Sequence, residues 1–299
     1  MTNEILMAVP LFVFMGTMLE KSKVAEELLE NMDKVFRKVR GGLGISVSIV
    51  GALLAASTGI VGATVVTMGL LSLPTMLKKG YDPKLATGTV AAAGTLGQII
   101  PPSIVLVLLG DVLSNAYQKS QLDMGVFSPE TLSVGDLFAG ALIPGLLLVC
   151  FYIAYQIIKS FIDPLSIPPV NNDEYDDQER TNILFILFPP LFLIISVLGS
   201  ILTGFATPTE AASVGAIGSI LLATYKTSSE KIWPIISASI FIILILSSIF
   251  LDLRINRVDV TSLNSFAIII SLILLSIFSF SIIKCLKNLF NNKILSETA

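Results

Sequence analysis

The stretch Gly88–Gly110, GTVAAAGTLGQIIPPSIVLVLLG, is apolar enough to enter a membrane but cannot form one continuous helix. Gly94 and Gly97 weaken its middle, and Pro101 and Pro102 remove two backbone N–H donors and clash with the preceding turn. An unpaired backbone group in hydrocarbon costs several kcal/mol, so such a break needs protein neighbours, an ion or a substrate to satisfy it. We therefore expect a broken helix, which secondary transporters use at their binding sites.

The composition around this stretch indicates an all-α, polytopic membrane protein. The chain has 299 residues, of which 54% are hydrophobic and 14% charged, with a mean hydropathy of +0.84. A soluble domain carries about 25% charged residues. Histidine is absent, which excludes imidazole bases and histidine metal sites, so we expect no enzyme and no catalytic residue. Cys150 and Cys285 are predicted to be core or lipid-facing residues rather than a disulfide.

The segment Leu43–Leu77 is too long for one membrane span at a rise of about 1.5 Å per residue. Its middle, Ala55–Thr64 (AASTGIVGAT), is rich in small and hydroxyl residues. This pattern predicts a helical hairpin that enters the membrane and returns to the same side. The basic residues agree, because with a hairpin only Lys119, Arg254 and Arg257 lie outside. A single crossing would invert every later loop and weaken this positive-inside bias.

These features divide the chain into five predicted parts. They are a short first span with an amphipathic cytoplasmic connector (1–42), a transport core of hairpin and broken helix (43–110), a periplasmic loop (111–136), scaffold spans with an acidic cytoplasmic loop at 163–182 (137–225), and an additional pair of spans with a cytoplasmic tail (226–299). The connector suits either the anionic leaflet or a face of its own bundle.

The candidate site joins the two breaks, Ala55–Thr64 and Ala93–Ser103. Freed carbonyls and hydroxyls bind hard cations, and half-helix N-termini suit a carboxylate. The substrate- and ion-binding residues are predicted to be Ser57, Thr58, Gly59, Thr64, Gly94, Thr95, Gly97, Pro101, Pro102 and Ser103, with Ser57, Gly59, Gly94 and Gly97 as sodium ligands. No acidic or basic residue lies between Leu43 and Leu77 or between Leu85 and Gly110, which favours Na⁺ over H⁺ coupling.

A simpler interpretation is that the small residues only let helices pack closely. It accounts for Gly69 and Gly215, but it does not explain the Pro101-Pro102 pair. The polar patch around Thr207 and Glu210 is predicted to be a capped helix start, with a functional role for Glu210 as the alternative.

At this point the residues resemble a known family. Residues 51–103 (GALLAASTGIVGAT through QIIPPS) look like the signature of the large membrane subunit of TRAP transporters (tripartite ATP-independent periplasmic, DctM-like). Residues 203–223 (TGFATPTEAASVGAIGSILLA) look like that family's second signature. The resemblance covers about Ile5 to Ala223, and the outer loop and the run GDLFAGALIPG are similar to the mannitol/chloroaromatic-type subgroup.

The resemblance implies an elevator-type carrier of the bacterial inner membrane. Such carriers import an organic acid (C4-dicarboxylates, 2-oxo acids or sialic acid) with Na⁺ as the coupling ion and without another cofactor. Their partners are a small TRAP membrane subunit and a periplasmic substrate-binding protein, set in the lipid bilayer, and no nucleic acid is involved. By the family pattern, Ala55–Thr64 corresponds to the first hairpin tip and Gly94–Ser103 to the first broken helix.

The chain departs from that pattern in two respects. Thr58-Gly59 is followed by Ile60 and Val61, where many members have a Ser-Gly-Ser-Ser type sequence, so two hydroxyls are missing. No second hairpin or Gly-Pro-Pro break follows Ala223. We therefore expect one half of an inverted-repeat transporter, truncated at both ends and unable to transport alone. The alternatives are another Na⁺/anion symporter of the same superfamily and a non-transporting membrane fragment.

Overall fold

The structure is a computed structural model that describes residues 4–22, 24–168, 183–228, 231–250 and 262–295, and the regular secondary structure in these ranges is helical. The helices are α1 (Glu4–Lys21), α2 (Val24–Phe36), α3 (Gly42–Thr58), α4 (Val61–Lys78), α5 (Pro83–Thr95), α6 (Ile104–Asp123), α7 (Val134–Ile162), α8 (Ile183–Leu202), α9 (Pro208–Thr227), α10 (Ile232–Phe250) and α11 (Ser262–Asn291). A short 3-10 helix, Leu96–Gln98, lies between α5 and α6.

Several of these helices suit a bilayer. Among the described residues, Val61–Lys78, Val134–Ile162 and Ala267–Asn291 are long and apolar enough to cross a membrane. Shorter apolar helices cover Gly42–Ala56, Leu187–Leu202 and Ile232–Ser247. Large apolar side chains are exposed along them, as expected for a surface in contact with lipid tails. The predicted class, an all-α polytopic membrane protein, is confirmed.

Helices α3 and α4 form a hairpin. Only Gly59 and Ile60 separate them, and Gly59 adopts a left-handed conformation (φ 62°) while its N–H donates to the Ala55 carbonyl at 3.0 Å. The opposite ends of the two helices also meet, because the N–H of Gly44 near the start of α3 donates to the Tyr81 hydroxyl just after α4. The two helices are therefore antiparallel, and the hairpin expected from the sequence is present.

The next segment contains the expected break. Helix α5 ends at Thr95, and the chain passes through the 3-10 turn and a cis Pro101-Pro102 bond before α6 begins at Ile104. Helix α6 then continues to Asp123, so the loop predicted at 111–136 is confined to residues 124–133. The reason is local, since residues 111–123 contain no glycine or proline to end a helix before Gly125.

The connector helix α2 packs on its own bundle, which decides between the two interpretations left open by the sequence. Its apolar face is buried, with Leu28 and Leu29 in one core with residues of α3 and α4. Ion pairs hold it at both sides: Asp33 pairs with Lys79 at the hairpin base (2.6 Å), and Glu27 pairs with Lys226 of α9. Most of the acidic loop, residues 169–182, lies outside the described residues.

Two further groups of helices complete the bundle. Helices α1, α8 and α9 share a core with Phe12, Met15 and Val197. Helices α10 and α11 form a pair that packs on α9, joined by a buried hydrogen bond of 2.6 Å between Ser237 and Ser281. Cys150 is exposed on α7 and Cys285 is buried on α11, and both are free thiols.

Candidate ion and substrate site

The hairpin tip lies directly against the break between α5 and α6. A Cβ added at Gly59 would lie 3.3 Å from the backbone nitrogen of Ile104, and one at Gly97 would lie 3.4 Å from the Ala55 carbonyl oxygen. At Gly94 the added Cβ would lie 2.9 Å from the Cα of Val65, which real structures do not tolerate. The glycines therefore let two stretches of backbone approach each other more closely than side chains would permit.

Four helix ends meet at this contact. Helix α3 ends at Thr58 and the 3-10 turn ends at Gln98, while α4 begins after Ile60 and α6 begins after Ser103. Carboxyl ends carry partial negative charge on carbonyl oxygens, and amino ends carry partial positive charge on N–H groups. Such a set of ends can bind a cation and a carboxylate with no charged side chain.

The two threonine hydroxyls at the hairpin tip form a hydrogen bond with each other. The Oγ1 atoms of Thr58 and Thr64 lie 2.7 Å apart, and both side chains are buried. Thr58 also reaches the Leu54 carbonyl (3.1 Å) and Thr64 the Ile60 carbonyl (2.9 Å). Their two protons thus have protein acceptors, and what remains for a cation is oxygen lone pairs. Ser57 lies in the last turn of α3, and its side chain is outside the described part of the structure.

Ser103 links the two sides of the break between α5 and α6 by hydrogen bonds. Its buried hydroxyl donates to the Gln98 carbonyl at 2.9 Å and accepts from the N–H of Leu106 at 3.4 Å. The first contact spans the proline pair, and the second caps α6. Pro101 and Pro102 are buried, whereas Thr95 is exposed and donates to the Ala92 carbonyl of its own helix at 2.7 Å.

The structure thus brings most of the predicted site residues into one place. Gly59, Gly94 and Gly97 form the contact itself, and Thr58, Thr64 and Ser103 stabilise the backbone on either side of it. Thr95 lies at an exposed edge. No group of three His, Cys, Asp or Glu side chains is close enough to hold a metal within the described ranges. A cation here would therefore bind through carbonyl and hydroxyl oxygens, and the binding role of each residue stays a prediction.

One buried polar residue near the core was not found from the sequence. Gln156 of α7 is 2% exposed, and its Nε2 donates to the Thr89 hydroxyl of α5. Its Oε1 has no donor among the residues that the structure describes. The available signal was a single amide in the otherwise apolar run around Gln156, since polar side chains in spans usually have a partner or a role.

A second residue missed by sequence reasoning is Glu20, which falls in the part predicted to hold the short first span and the cytoplasmic connector (1–42). It lies in the last turn of α1, and its Oε1 accepts a hydrogen bond from the Thr67 hydroxyl of α4. An ionisable side chain therefore contacts the hairpin, although no acidic or basic residue lies between Leu43 and Leu77. This contact bears on the choice between Na⁺ and H⁺ as the coupling ion.

Glu210 has the structural position that the sequence predicted. Its carboxylate accepts from the Thr207 N–H at 2.8 Å, and the Thr207 hydroxyl accepts from the Glu210 N–H at 3.3 Å. The two residues form a capping box at the start of α9, with Pro208 as the first helical residue. These contacts explain the motif without a functional role for Glu210.

Comparison with known proteins identifies a matching family and relatives of this chain. Residues 1–284 match the family described as tripartite ATP-independent periplasmic transporter, DctM component. The chain is 33% identical over 221 residues to the C4-dicarboxylate TRAP transporter large permease protein DctM of Pseudomonas aeruginosa, covering 74% of this chain and 47% of that protein. It is 30% identical over 227 residues to the protein of the same name from Rhodobacter capsulatus, covering 74% and 48%.

The relatives are named for different substrates. The chain is 26% identical over 266 residues to the ectoine TRAP transporter large permease protein TeaC of Halomonas elongata, covering 89% of this chain and 56% of that protein. The chain spans about half the length of the curated relatives it matches.

Proposed function

Because this chain belongs to the DctM family of TRAP transporters, we propose that it is part of the large permease subunit of a secondary transporter in a bacterial inner membrane. The subunit imports an organic acid that carries a carboxylate. Na⁺ is the coupling ion, and the transport core moves as an elevator relative to the remaining helices. Relatives named for C4-dicarboxylate and for ectoine support the transporter class and leave the substrate of this chain open.

The observation that carries the proposal is the contact between the hairpin tip and the broken helix. Carbonyl oxygens from the ends of α3 and of the 3-10 turn suit a sodium ion, and the N-termini of α4 and α6 suit a carboxylate. The proposed ligands are backbone groups, so the lack of hydroxyl groups at Ile60 and Val61 does not remove them.

The proposal includes two partners and a second half-site. A periplasmic substrate-binding protein delivers the organic acid, and a small membrane subunit supports the permease, as the word tripartite in the family description suggests. The hairpin and broken helix of residues 43–110 form one repeat, and a second inverted repeat completes the site. On this basis the described helices hold part of the ion site rather than the whole of it.

The test is uptake by the complete gene product, coexpressed with the small subunit and reconstituted in liposomes with its binding protein. We expect uptake of a radiolabelled organic acid to require an inward Na⁺ gradient. Gly97→Leu and Pro102→Leu should abolish uptake, because Gly97 lies against Ala55 and Pro102 is buried in the break. Gly88→Leu is the matched control, since Gly88 is exposed with nothing within 4 Å of its Cβ position.

Proton coupling is the second candidate, and the Glu20–Thr67 hydrogen bond is the observation that favours it. Under H⁺ coupling, a pH gradient drives uptake without Na⁺, and Glu20→Gln abolishes the pH dependence. Under Na⁺ coupling, Glu20→Gln keeps its Na⁺ dependence. Wild-type behaviour of Gly97→Leu would refute the broken-helix site for either ion.

A further inference from the structure

A polar cavity of about 600 Å³ lies at the base of the hairpin, at the end opposite the candidate ion site. It is bounded by the end of α2, the Gly41-Gly42 turn that starts α3, the end of α4 and the chain near Pro168. The volume is within the range of about 300–1,000 Å³ typical of small-molecule sites. The basic residues around it fall on the cytoplasmic side by the positive-inside rule.

The lining is strongly cationic. Among the described residues that line it, Arg37, Arg40, Lys78 and Lys79 are basic and Asp33 is acidic. Asp33 pairs with Lys79 at 2.6 Å, and the cations on which the site depends are Arg40 and Lys78. The N-terminus of α3 at Gly42 lies at the same cavity and adds the positive end of a helix dipole.

A hydrogen bond to the backbone holds the Arg40 guanidinium in place. Its Nη2 donates to the Pro164 carbonyl at 2.8 Å, which fixes the guanidinium. Its Nε is buried and has no acceptor among the described residues. A guanidinium carries five N–H donors in a rigid fork, so Arg40 has further donors for an oxyanion in the cavity besides the one that Pro164 accepts.

Tyr81 adds a neutral donor. Its hydroxyl accepts from the Gly44 N–H at 3.4 Å, and burial raises its pKa to about 12. The hydroxyl therefore keeps its proton at physiological pH, and a bound anion can accept it. Guanidinium, ammonium and hydroxyl together form a donor set suited to a phosphate group.

We propose that this cavity binds a phosphate group, carried either by an anionic phospholipid of the inner leaflet or by a soluble cytoplasmic phosphate compound. The phosphate contacts the guanidinium of Arg40 and the ammonium group of Lys78. Because Arg40 lies in the turn between α2 and α3 and Lys78 is the last residue of α4, the bound group bridges that turn and the base of the hairpin. This site is separate from the ion and substrate site at the hairpin tip.

The experiment measures binding to the complete gene product. Inorganic phosphate is titrated calorimetrically into the protein in a neutral detergent, and lipid binding is measured by native mass spectrometry with phosphatidylglycerol against phosphatidylcholine. We expect Arg40→Gln and Lys78→Gln to weaken binding about tenfold, as for loss of one charge-assisted hydrogen bond. Lys38→Gln, which removes an exposed charge outside the cavity lining, should bind as wild type.

The two arms separate the two sources of phosphate. Binding of inorganic phosphate indicates a soluble ligand, and selective retention of phosphatidylglycerol alone indicates a headgroup. Lys78 is exposed at the end of α4, so Lys78→Gln should fold even where Arg40→Gln does not. Absence of binding in both arms, equal binding by Lys78→Gln and wild type, or equal weakening by Lys38→Gln overturns the proposal.

Discussion

The hairpin and broken helix differ sharply from the α10–α11 pair, although both regions are strongly apolar. In the first, glycines bring backbone against backbone, and buried hydroxyls close both breaks. In the second, the described helices run without a break and join through large side chains, such as Phe241 stacked on Phe278 at 5.5 Å, and one serine pair. Hydropathy identifies both regions as apolar, whereas the glycine contacts and buried hydroxyls distinguish the candidate site from an ordinary span.

The largest effect is expected when a methyl group is added at the contact between the hairpin and the broken helix. Gly94→Ala places Cβ 2.9 Å from the Val65 backbone, and overpacking of this kind costs about 3 kcal/mol. Gly88→Ala in the same helix meets nothing within 4 Å and should stabilise the helix by about 0.5–1 kcal/mol. Unfolding in mixed micelles measures both. Equal effects of the two substitutions would show that the contact is not tight.

At the hairpin base, the buried Tyr81 should make stability depend on pH. Burial raises the pKa of Tyr81 to about 12 from the ordinary 10.0. Below pH 10 the tyrosine is protonated whether the chain is folded or unfolded. Between pH 10 and 12 it ionises mainly in the unfolded chain, so stability falls as pH rises, by about 2 kcal/mol. Unfolding free energies of wild type and Tyr81→Phe, measured across this range, should converge as pH rises, and parallel curves would contradict the prediction.

The threonine pair at the hairpin tip should show a smaller, coupled effect. Thr58→Val removes one partner of the 2.7 Å contact and should cost about 1 kcal/mol, and so should Thr64→Val. The double substitution should cost less than the sum, because no partner is then left behind. A double-mutant cycle on unfolding free energy measures the coupling. Strict additivity would mean that the two hydroxyls do not interact.

The smallest effect is expected in the α10–α11 pair. Ser237→Ala removes the buried hydrogen bond to Ser281 and should cost about 0.6 kcal/mol, the average for hydrogen bonds between membrane helices. Organic acid uptake by the complete transporter should be unchanged, because these helices are remote in sequence from the proposed site. If Ser237→Ala lowered uptake as strongly as Gly97→Leu, the distinction between site and span would fail.

Much of the core could be predicted from local sequence. Glycine, proline and hydroxyl residues set the backbone breaks at Ala55–Thr64 and Ala93–Ser103, and the count of lysine and arginine residues indicated a hairpin rather than a single crossing. The helical extent of residues 111–123 was missed because its polar residues were interpreted as a loop. Gln156 and Glu20 were missed because their importance depends on neighbours that are distant in the chain.

The sequence by itself determined where helices break and which class of membrane protein this is, because glycine and proline act on the backbone within a few residues. Only the tertiary structure decided that the hairpin tip meets the broken helix through Gly94 and Gly97, that α2 lies on its own bundle, and that Arg40 lines a basic cavity. These contacts join residues far apart in the chain. They depend on the packing of the whole bundle, which no local pattern encodes.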